Sequence, residues 1–227
     1  MKIIIIIDET PFFHPNFLDS ILKNLNYKNI KVGIVRRIPK KSNLNSYLIR
    51  NIFCLSFKEI ILLSSKKILF FFLNIFFSRG LKKSNFSVVG VSKKHKVDFF
   101  YINYDINNSK YVNIIKTFNP NLIISSNSLL FGEKLLNLKD TVFINRHTSL
   151  LPAYKGLFPV IHAIINGENK IGVSIHTMQN KIDCGSLLAQ EVIPLNNEKN
   201  LYKIYDKAFK LSASLTLMVI ENIKNNR

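Results

Sequence analysis

Lys2-Ile3-Ile4-Ile5-Ile6-Ile7-Asp8 decides how this chain folds. Five consecutive isoleucines are apolar at both odd and even positions. The run is too short for a helix, and its β-branched side chains favour an extended backbone. A strand of that kind is buried on both faces, which places it inside a parallel sheet covered by helices above and below. Moving outward, Asn16–Leu25 carries Phe17, Ile21 and Leu25 at helical spacing, and Ile30–Val35 is a second strand. The rhythm then repeats. Ser84–His95 is read as a helix, followed by a strand at Val97–Ile102. Ser109–Phe118 is a helix with Tyr111, Ile114 and Ile115 on one side, ended by Pro120, and Leu122–Ser125 is the next strand. Lys134–Leu138 is a short helix, and Val142–Asn145 a fifth strand.

Strands separated by helices imply crossover connections and a parallel sheet. Near the end, Gly172–Met178 and Leu187–Pro194 are two further strands around a turn, preceded by a helix at Pro159–Asn166 with Gly167 as its stop. Leu201, Ile204, Ala208, Leu211, Leu215 and Met218 form the stripe of a closing amphipathic helix. The expected fold is α/β: a Rossmann-like, mostly parallel sheet with helices on both faces. The expected organisation is one catalytic domain over residues 1–196, with a helical insertion at about 45–80, and a closing helix over 197–227. No G-x-G-x-x-G or G-x-x-x-x-G-K-[ST] follows the first strand, where Asp8-Glu9-Thr10-Pro11 stands instead. This argues against a dehydrogenase and a P-loop nucleotidase.

The composition narrows the class further. Of 227 residues, 47% are hydrophobic and 20% charged, which excludes a disordered polar chain. Two cysteines, Cys54 and Cys184, exclude a disulfide framework and a multi-cysteine zinc site. The longest uncharged apolar stretch, Ile68–Ser78, is about half of what a spanning helix needs. The opening run is too short, and too soon followed by acids, for a signal peptide. A soluble cytoplasmic protein is expected. The formal charge is +18, of which +13 falls in residues 1–100. Polyanionic partners would explain that excess, and so would the drift towards Lys, Asn, Ile and Phe of an AT-rich genome. Drift is the simpler account, because no repeating basic-aromatic pattern is present.

Asn45–Phe77 breaks the strand-helix rhythm. It is long and apolar, with Lys58, Lys66, Lys67 and Arg79 beside Phe70, Phe71, Phe72, Phe76 and Phe77. A helical pair packed over the sheet is the simpler expectation. Peripheral membrane contact through residues 45–80, or a homodimer interface there and at the closing helix, stays open beside it.

The chemistry lies between Pro120 and Pro194. Asn145 and His147, two apart at the end of a buried strand, point to the same side, and Arg146 to the other. Ligands of open parallel sheets bind beyond the carboxyl ends of the strands. An amide donor and an imidazole there suit a reaction at a carbonyl. Ser149-Leu150-Leu151-Pro152 is a stiff loop with an apolar face that suits a flat heterocycle. Asp183-Cys184-Gly185 is a turn by itself. Beside Asn145 and His147 it becomes a carboxylate partner that raises the imidazole pKa and orients the ring. No Ser or Cys stands at an elbow, so a covalent acyl-enzyme is not expected. Cys184 reads as the small middle residue of the turn.

Taken in order, Asn145-x-His147-x-Ser149-Leu150-Leu151-Pro152, Tyr154-Lys155-Gly156, Gly172-Val173-Ser174-Ile175-His176 and Asp183-x-Gly185 resemble the folate-dependent formyltransferase family. The resemblance is clear over 97–195 and loose over 1–223. The family pattern usually has Arg where Lys155 stands, and lysine keeps the charge without the planar fork. The resemblance implies a catalytic triad of Asn145, His147 and Asp183, acting on 10-formyltetrahydrofolate with no metal. Asn145 and His147 would hold the oxyanion while Asp183 helps to take a proton from the amine. It also implies folate contacts from Ser128, Leu129, Leu130 and Phe131, from Ser149, Leu150, Leu151 and Pro152, and from Gln179, Asn180, Lys181 and Ile182. Tyr154, Lys155 and Gly156 would meet the amine substrate. His176 reads as a neighbour of the site rather than a catalyst.

Among the branches of that family, the purine-pathway enzymes hold a phosphate on a Gly-rich loop that this chain lacks. The formyltetrahydrofolate hydrolases carry an N-terminal regulatory domain, and the initiator-tRNA enzymes a C-terminal barrel. Neither branch is expected here, because the first strand begins at residue 2 and a single helix is read after Pro194. The opening Asp8-Glu9-Thr10-Pro11-Phe12-Phe13-His14-Pro15 resembles the branch that formylates nucleotide-linked amino sugars for surface polysaccharide such as lipopolysaccharide. That substrate is the expectation, and nucleic acid is not an expected partner. The alternatives are a methionyl-tRNA formyltransferase lacking the barrel, and a non-catalytic folate-binding or membrane-docked relative.

Overall fold

The computed structural model describes residues 1–25, 29–37, 57–76 and 86–225. One seven-stranded sheet runs in the order β3-β2-β1-β4-β5-β6-β7. Its strands are β1 (Ile3–Asp8), β2 (Ile30–Arg37), β3 (Asp98–Asn103), β4 (Leu122–Ser126), β5 (Val142–His147), β6 (Lys170–Thr177) and β7 (Leu187–Pro194). The first five pair in parallel, and β6 and β7 are antiparallel. β1 is central, and Ile4 to Ile7 are wholly buried. Ile3, Ile5 and Ile7 face one core and Ile4 and Ile6 the other, as the run of isoleucines requires.

The first core is closed by α1 (His14–Lys23), α3 (Val88–Lys94), α6 (Pro159–Ile165) and α7 (Leu201–Asn225). The second is closed by α4 (Ser109–Phe118) and α5 (Glu133–Leu136). The remaining helix among the described residues, α2 (Phe57–Phe76), lies at the surface. Helices therefore cover both faces, as expected. The chain moves outward from β1 to β3 and returns to β4 on the other side of β1. The crevice of such a sheet opens at the carboxyl ends of β1 and β4, where the order reverses. Glu9, just past β1, accepts the amides of Val88 and Val89 at 3.1 and 3.3 Å. The residue after the first strand thus caps a helix of the protein itself.

Three expectations are corrected. The fifth strand runs two residues further than expected, so Asn145, Arg146 and His147 are all within β5. Met218 is exposed, and the buried stripe of α7 turns instead onto Ser212, Thr216 and Val219. Ser212 and Thr216 donate to the carbonyls of Ala208 and Ser212, at 2.6 and 2.7 Å, so their hydroxyls are buried without loss. The helix expected at Ser84–His95 begins at Val88, where Ser87 caps it through the amide of Gly90 at 2.9 Å. Of the expected insertion, residues 45–56 and 77–80 lie outside the described residues, as does Cys54; the rest is the single helix α2.

Candidate active site

Asn145, His147 and Asp183 meet at the carboxyl end of β5. Asn145 Nδ2 lies 3.4 Å from Asp183 Oδ1, and His147 Nδ1 lies 3.5 Å from Asp183 Oδ2. The imidazole is nearly buried, and its Nε2 is 2.8 Å from the carbonyl of Tyr154. A carbonyl only accepts, so Nε2 carries the proton and Nδ1 turns its lone pair towards Asp183. A proton arriving at Nδ1 would be shared with that carboxylate.

The antiparallel pairing of β5 with β6 adds a fourth group. Asn145 is the register partner of His176, and His147 that of Ser174. His176 Nε2 lies 3.3 Å from Asn145 Nδ2 and 3.4 Å from Asp183 Oδ1, while its Nδ1 donates to the carbonyl of Thr177 at 2.8 Å. The sequence reading set His176 aside as a neighbour, whereas the structure puts it in contact with two of the three expected catalytic groups. No local signal marked it: β6 runs on to Thr177, and only its pairing with β5 sets His176 against Asn145.

Electrostatics divides the roles. Burial opposes ionisation of Asp183, but His176, the amide of Gly156 and, where it is protonated, His147 together hold its pKa below the ordinary carboxylate value. Burial pushes the His147 pKa down, and Asp183 pulls it back only in part. The expectation that Asp183 raises the imidazole pKa is right for the pair and reversed in the net. The resting site is therefore a carboxylate facing a neutral imidazole.

The Asp183 turn is shaped by its neighbours. Asp183 has φ 49°, and a side chain at Gly185 would place its Cβ 1.6 Å from the carbonyl oxygen of Thr177. Glycine alone fits there. Gly156 donates its amide to Asp183 Oδ2 at 2.8 Å, and Lys155 Nζ approaches Cys184 Sγ at 3.0 Å. The Tyr154 hydroxyl turns away and donates to Glu168 at 2.7 Å. Of the expected substrate contacts, Tyr154 meets the site through its carbonyl and Gly156 through its amide.

The Ser149–Pro152 loop is tied to the sheet by one buried hydroxyl. Ser174 Oγ donates to the carbonyl of Ser149 at 2.7 Å. It accepts from the amide of Leu151 at 3.2 Å and from Gln190 Nε2 at 2.9 Å. Gln190 also reaches the carbonyl of Leu151 at 3.0 Å. Leu150 packs over Gly172, where a Cβ would come within 2.2 Å of its Cδ2. In Ser128–Phe131, Leu129 and Phe131 are core residues and Leu130 is exposed. That loop is held by Asn127, which donates to the carbonyl of Ile6 at 3.0 Å and accepts from the amide of Leu129 at 2.8 Å. Gln179, Asn180, Lys181 and Ile182 are exposed, and Asn180 bonds Glu133 at 2.9 Å.

Arg146 occupies the opposite face of β5, as its parity requires. Its Nε donates to Ser126 Oγ at 3.1 Å, and its guanidinium lies 4.0 Å from the ring centre of Phe209. Burial lowers its pKa to about 10. Asp8 lies within its field, yet burial raises the Asp8 pKa to about 7. His14, 2.7 Å from Thr10 Oγ1, is held neutral by burial and by Arg146, with a pKa of about 3. Among the described residues, Asp8 Oδ1 and Arg146 Nη1 are buried with no hydrogen-bond partner. Asp8 ends β1 and Arg146 lies in β5, beside the crevice where the strand order reverses. Unsatisfied buried groups at such a place suit a polar ligand.

Residues 76–220 match the model of the formyl transferase family, and the chain belongs to that family. It is 36% identical over 154 residues to the bifunctional polymyxin resistance protein ArnA of Wigglesworthia glossinidia brevipalpis, covering 65% of this chain and 22% of that one. It is 30% identical over 147 residues to the methionyl-tRNA formyltransferase of a Thermotoga species, covering 64% and 47%. The chain therefore spans less than half the length of these relatives. Among solved structures, the phosphoribosylglycinamide formyltransferase of Bacillus halodurans superposes with a TM-score of 0.64 at 18% identity, covering 98% of this chain and 95% of that one. The N-formyltransferase of Helicobacter canadensis, solved with folinic acid and dTDP-3-aminofucose, gives 0.55 at 20% identity, covering 98% and 65%. At these identities the structural matches establish the fold. Among the described residues, no helix is long and apolar enough to cross a membrane.

Proposed function

We propose that this chain transfers a formyl group from 10-formyltetrahydrofolate to the primary amine of a nucleotide-linked amino sugar. The convergence of Asn145, His147 and Asp183 within 3.5 Å carries the reading. The donor supplies an electrophilic formyl carbon. The amine nitrogen bonds to that carbon, the bond from the carbon to the donor nitrogen breaks, and the amine proton is passed on as the donor nitrogen gains one. Asn145 Nδ2 is held only by contacts of 3.3 and 3.4 Å, long enough for a developing oxyanion to displace. Neutral His147 and ionised Asp183 are placed to accept the amine proton through Nδ1 and return it to the leaving nitrogen.

The residues present fit a folate. The Ser149–Pro152 loop is apolar on one side and fixed by Ser174. In this reading residues 1–196 form the catalytic domain, and the segment 197–227, through α7, closes it. The sugar-nucleotide acceptor is supported by the dTDP-3-aminofucose bound to the Helicobacter canadensis relative and by the lack of a Gly-rich loop after β1. Methionyl-tRNA is the second reading, favoured by the Thermotoga relative and the charge of +18.

The test is formyl transfer into a panel of amines, with Asp183→Asn as the blank. The panel holds 3-amino and 4-amino sugar nucleotides, glycinamide ribonucleotide and methionyl-tRNA. A formylated amino sugar supports the proposal. A formylated tRNA replaces it with the second reading. Folate binding without any transfer gives the chain a binding role instead.

A further inference from the structure

We propose that α2 is a docking helix for an anionic lipid surface. One edge of α2 rests on the protein. The Phe70 ring lies 6.1 Å from Phe12 and 5.3 Å from Phe86, and Lys66 Nζ lies 3.6 Å over the ring of Tyr202. Glu59, the one acid of α2, faces this edge and accepts the amide of Leu201 at 2.8 Å. Among the described residues, none covers the opposite side. Phe57, Ile61, Ile68 and Phe72 are 76, 54, 59 and 52% exposed. Spaced by four, seven and four residues, they form one outward stripe. Leu62, Leu69 and Phe71 widen it, each also exposed. A patch of this kind is rarely left to water.

Charge selects the occupant. Lys58 and Lys67 are exposed and flank the stripe, roughly 70° to one side and 110° to the other at 100° per residue. Lysine stems can lie along an apolar surface while their ammonium groups reach phosphates beside it. No acid stands on the exposed side of α2 to receive those lysines from a second copy, and two chains of +18 repel one another. An anionic bilayer matches both features. Lys58, Glu59, Lys66 and Lys67 keep α2 from crossing it, so the helix lies in the interface. Inward of α2, Phe12 lies 6.1 Å from both Phe70 and Phe13 in tilted contacts, Phe13 lies 5.3 Å from Phe209, and Phe209 packs against Arg146 on the face of β5 opposite Asn145 and His147. The inference is independent of which amine is formylated.

The experiment is flotation of the full chain with vesicles of phosphatidylcholine containing roughly one-third phosphatidylglycerol, and with phosphatidylcholine alone, at low and high salt. The protein is expected to float with the anionic vesicles at low salt and to be released by salt. Ile61→Glu/Ile68→Glu/Phe72→Glu, all on exposed positions, is expected to lower partitioning about tenfold or more with an unchanged thermal transition. Lys58→Gln/Lys67→Gln should lose most of the salt dependence. Wild-type protein that stays at the bottom, or a triple variant that floats as well, overturns the proposal. A dimer in sedimentation that the triple variant dissolves, without flotation, would assign the face to a second copy and overturn it too.

Discussion

Gly156 donates its backbone N–H to Asp183 Oδ2 across 2.8 Å, and both residues have positive φ, +84° and 49°. A glycine in the left-handed region is thereby coupled to the carboxylate of the site. Gly156→Ala has open space around its new methyl group, so its cost is conformational, about 1 kcal/mol. Turnover is expected to fall further than that, about tenfold or more, because the amide shifts away from Asp183. Thermal melts and kcat/KM on the same variant separate the two effects.

His147 titrates below the ordinary imidazole value of 6.5, since burial outweighs Asp183. The acid limb of kcat/KM is therefore expected below pH 6.5. Asp183→Asn removes the one charge that pulls the pKa up, so it should move lower still. An NMR titration of the His147 ring in both proteins checks the sign. A rise in the variant would mean that the carboxylate does not act on this ring.

Ser174 holds three partners with one hydroxyl. Ser174→Ala leaves buried groups of the Ser149–Pro152 loop unpaired, at a cost of about 1–3 kcal/mol. The expected kinetic signature is a raised KM for the folate donor, with a smaller change in kcat. Ser174→Thr should recover part of the loss if its methyl group is tolerated beside Leu150.

His14 is neutral in the folded protein, with a pKa of about 3 against 6.5 for the free ring. The unfolded chain binds this proton first, so the stability His14 contributes is complete above pH 6.5 and is lost as pH falls towards 3. The slope is at most about 1.4 kcal/mol per pH unit. His14→Gln can still bond Thr10 and does not titrate in this range. Urea midpoints at pH 7, 6 and 5 should fall more gently for the variant than for the native chain.

Much of this was legible in the residues. The isoleucine run placed β1 at the centre of the sheet, and Asn-x-His followed by Asp-x-Gly placed the chemistry at its carboxyl edge. What escaped was set by pairing across the chain. His176, in β6, joins the site because its register partner in β5 is Asn145, and no local pattern reveals which residues of two strands face each other. Ser212 and Thr216 were hidden by their polarity, since their burial depends on hydroxyls returning to the helix backbone. Asp8 and Arg146 gather from two strands far apart in sequence.

The pairing of β5 with β6 also sets a timetable. Asn145 and His147 come early in the second half of the chain, but His176 reaches Asn145 only once β6 has folded back against β5. Asp183 arrives later still, on the turn before β7. A ribosome-bound chain ending before that turn would hold most of the parallel sheet and no working site. A shift of one residue between β5 and β6 would set Ile175 or Thr177 opposite Asn145 in place of His176. Formyl transfer, once measured, would double as a readout of whether the last hairpin has closed in register.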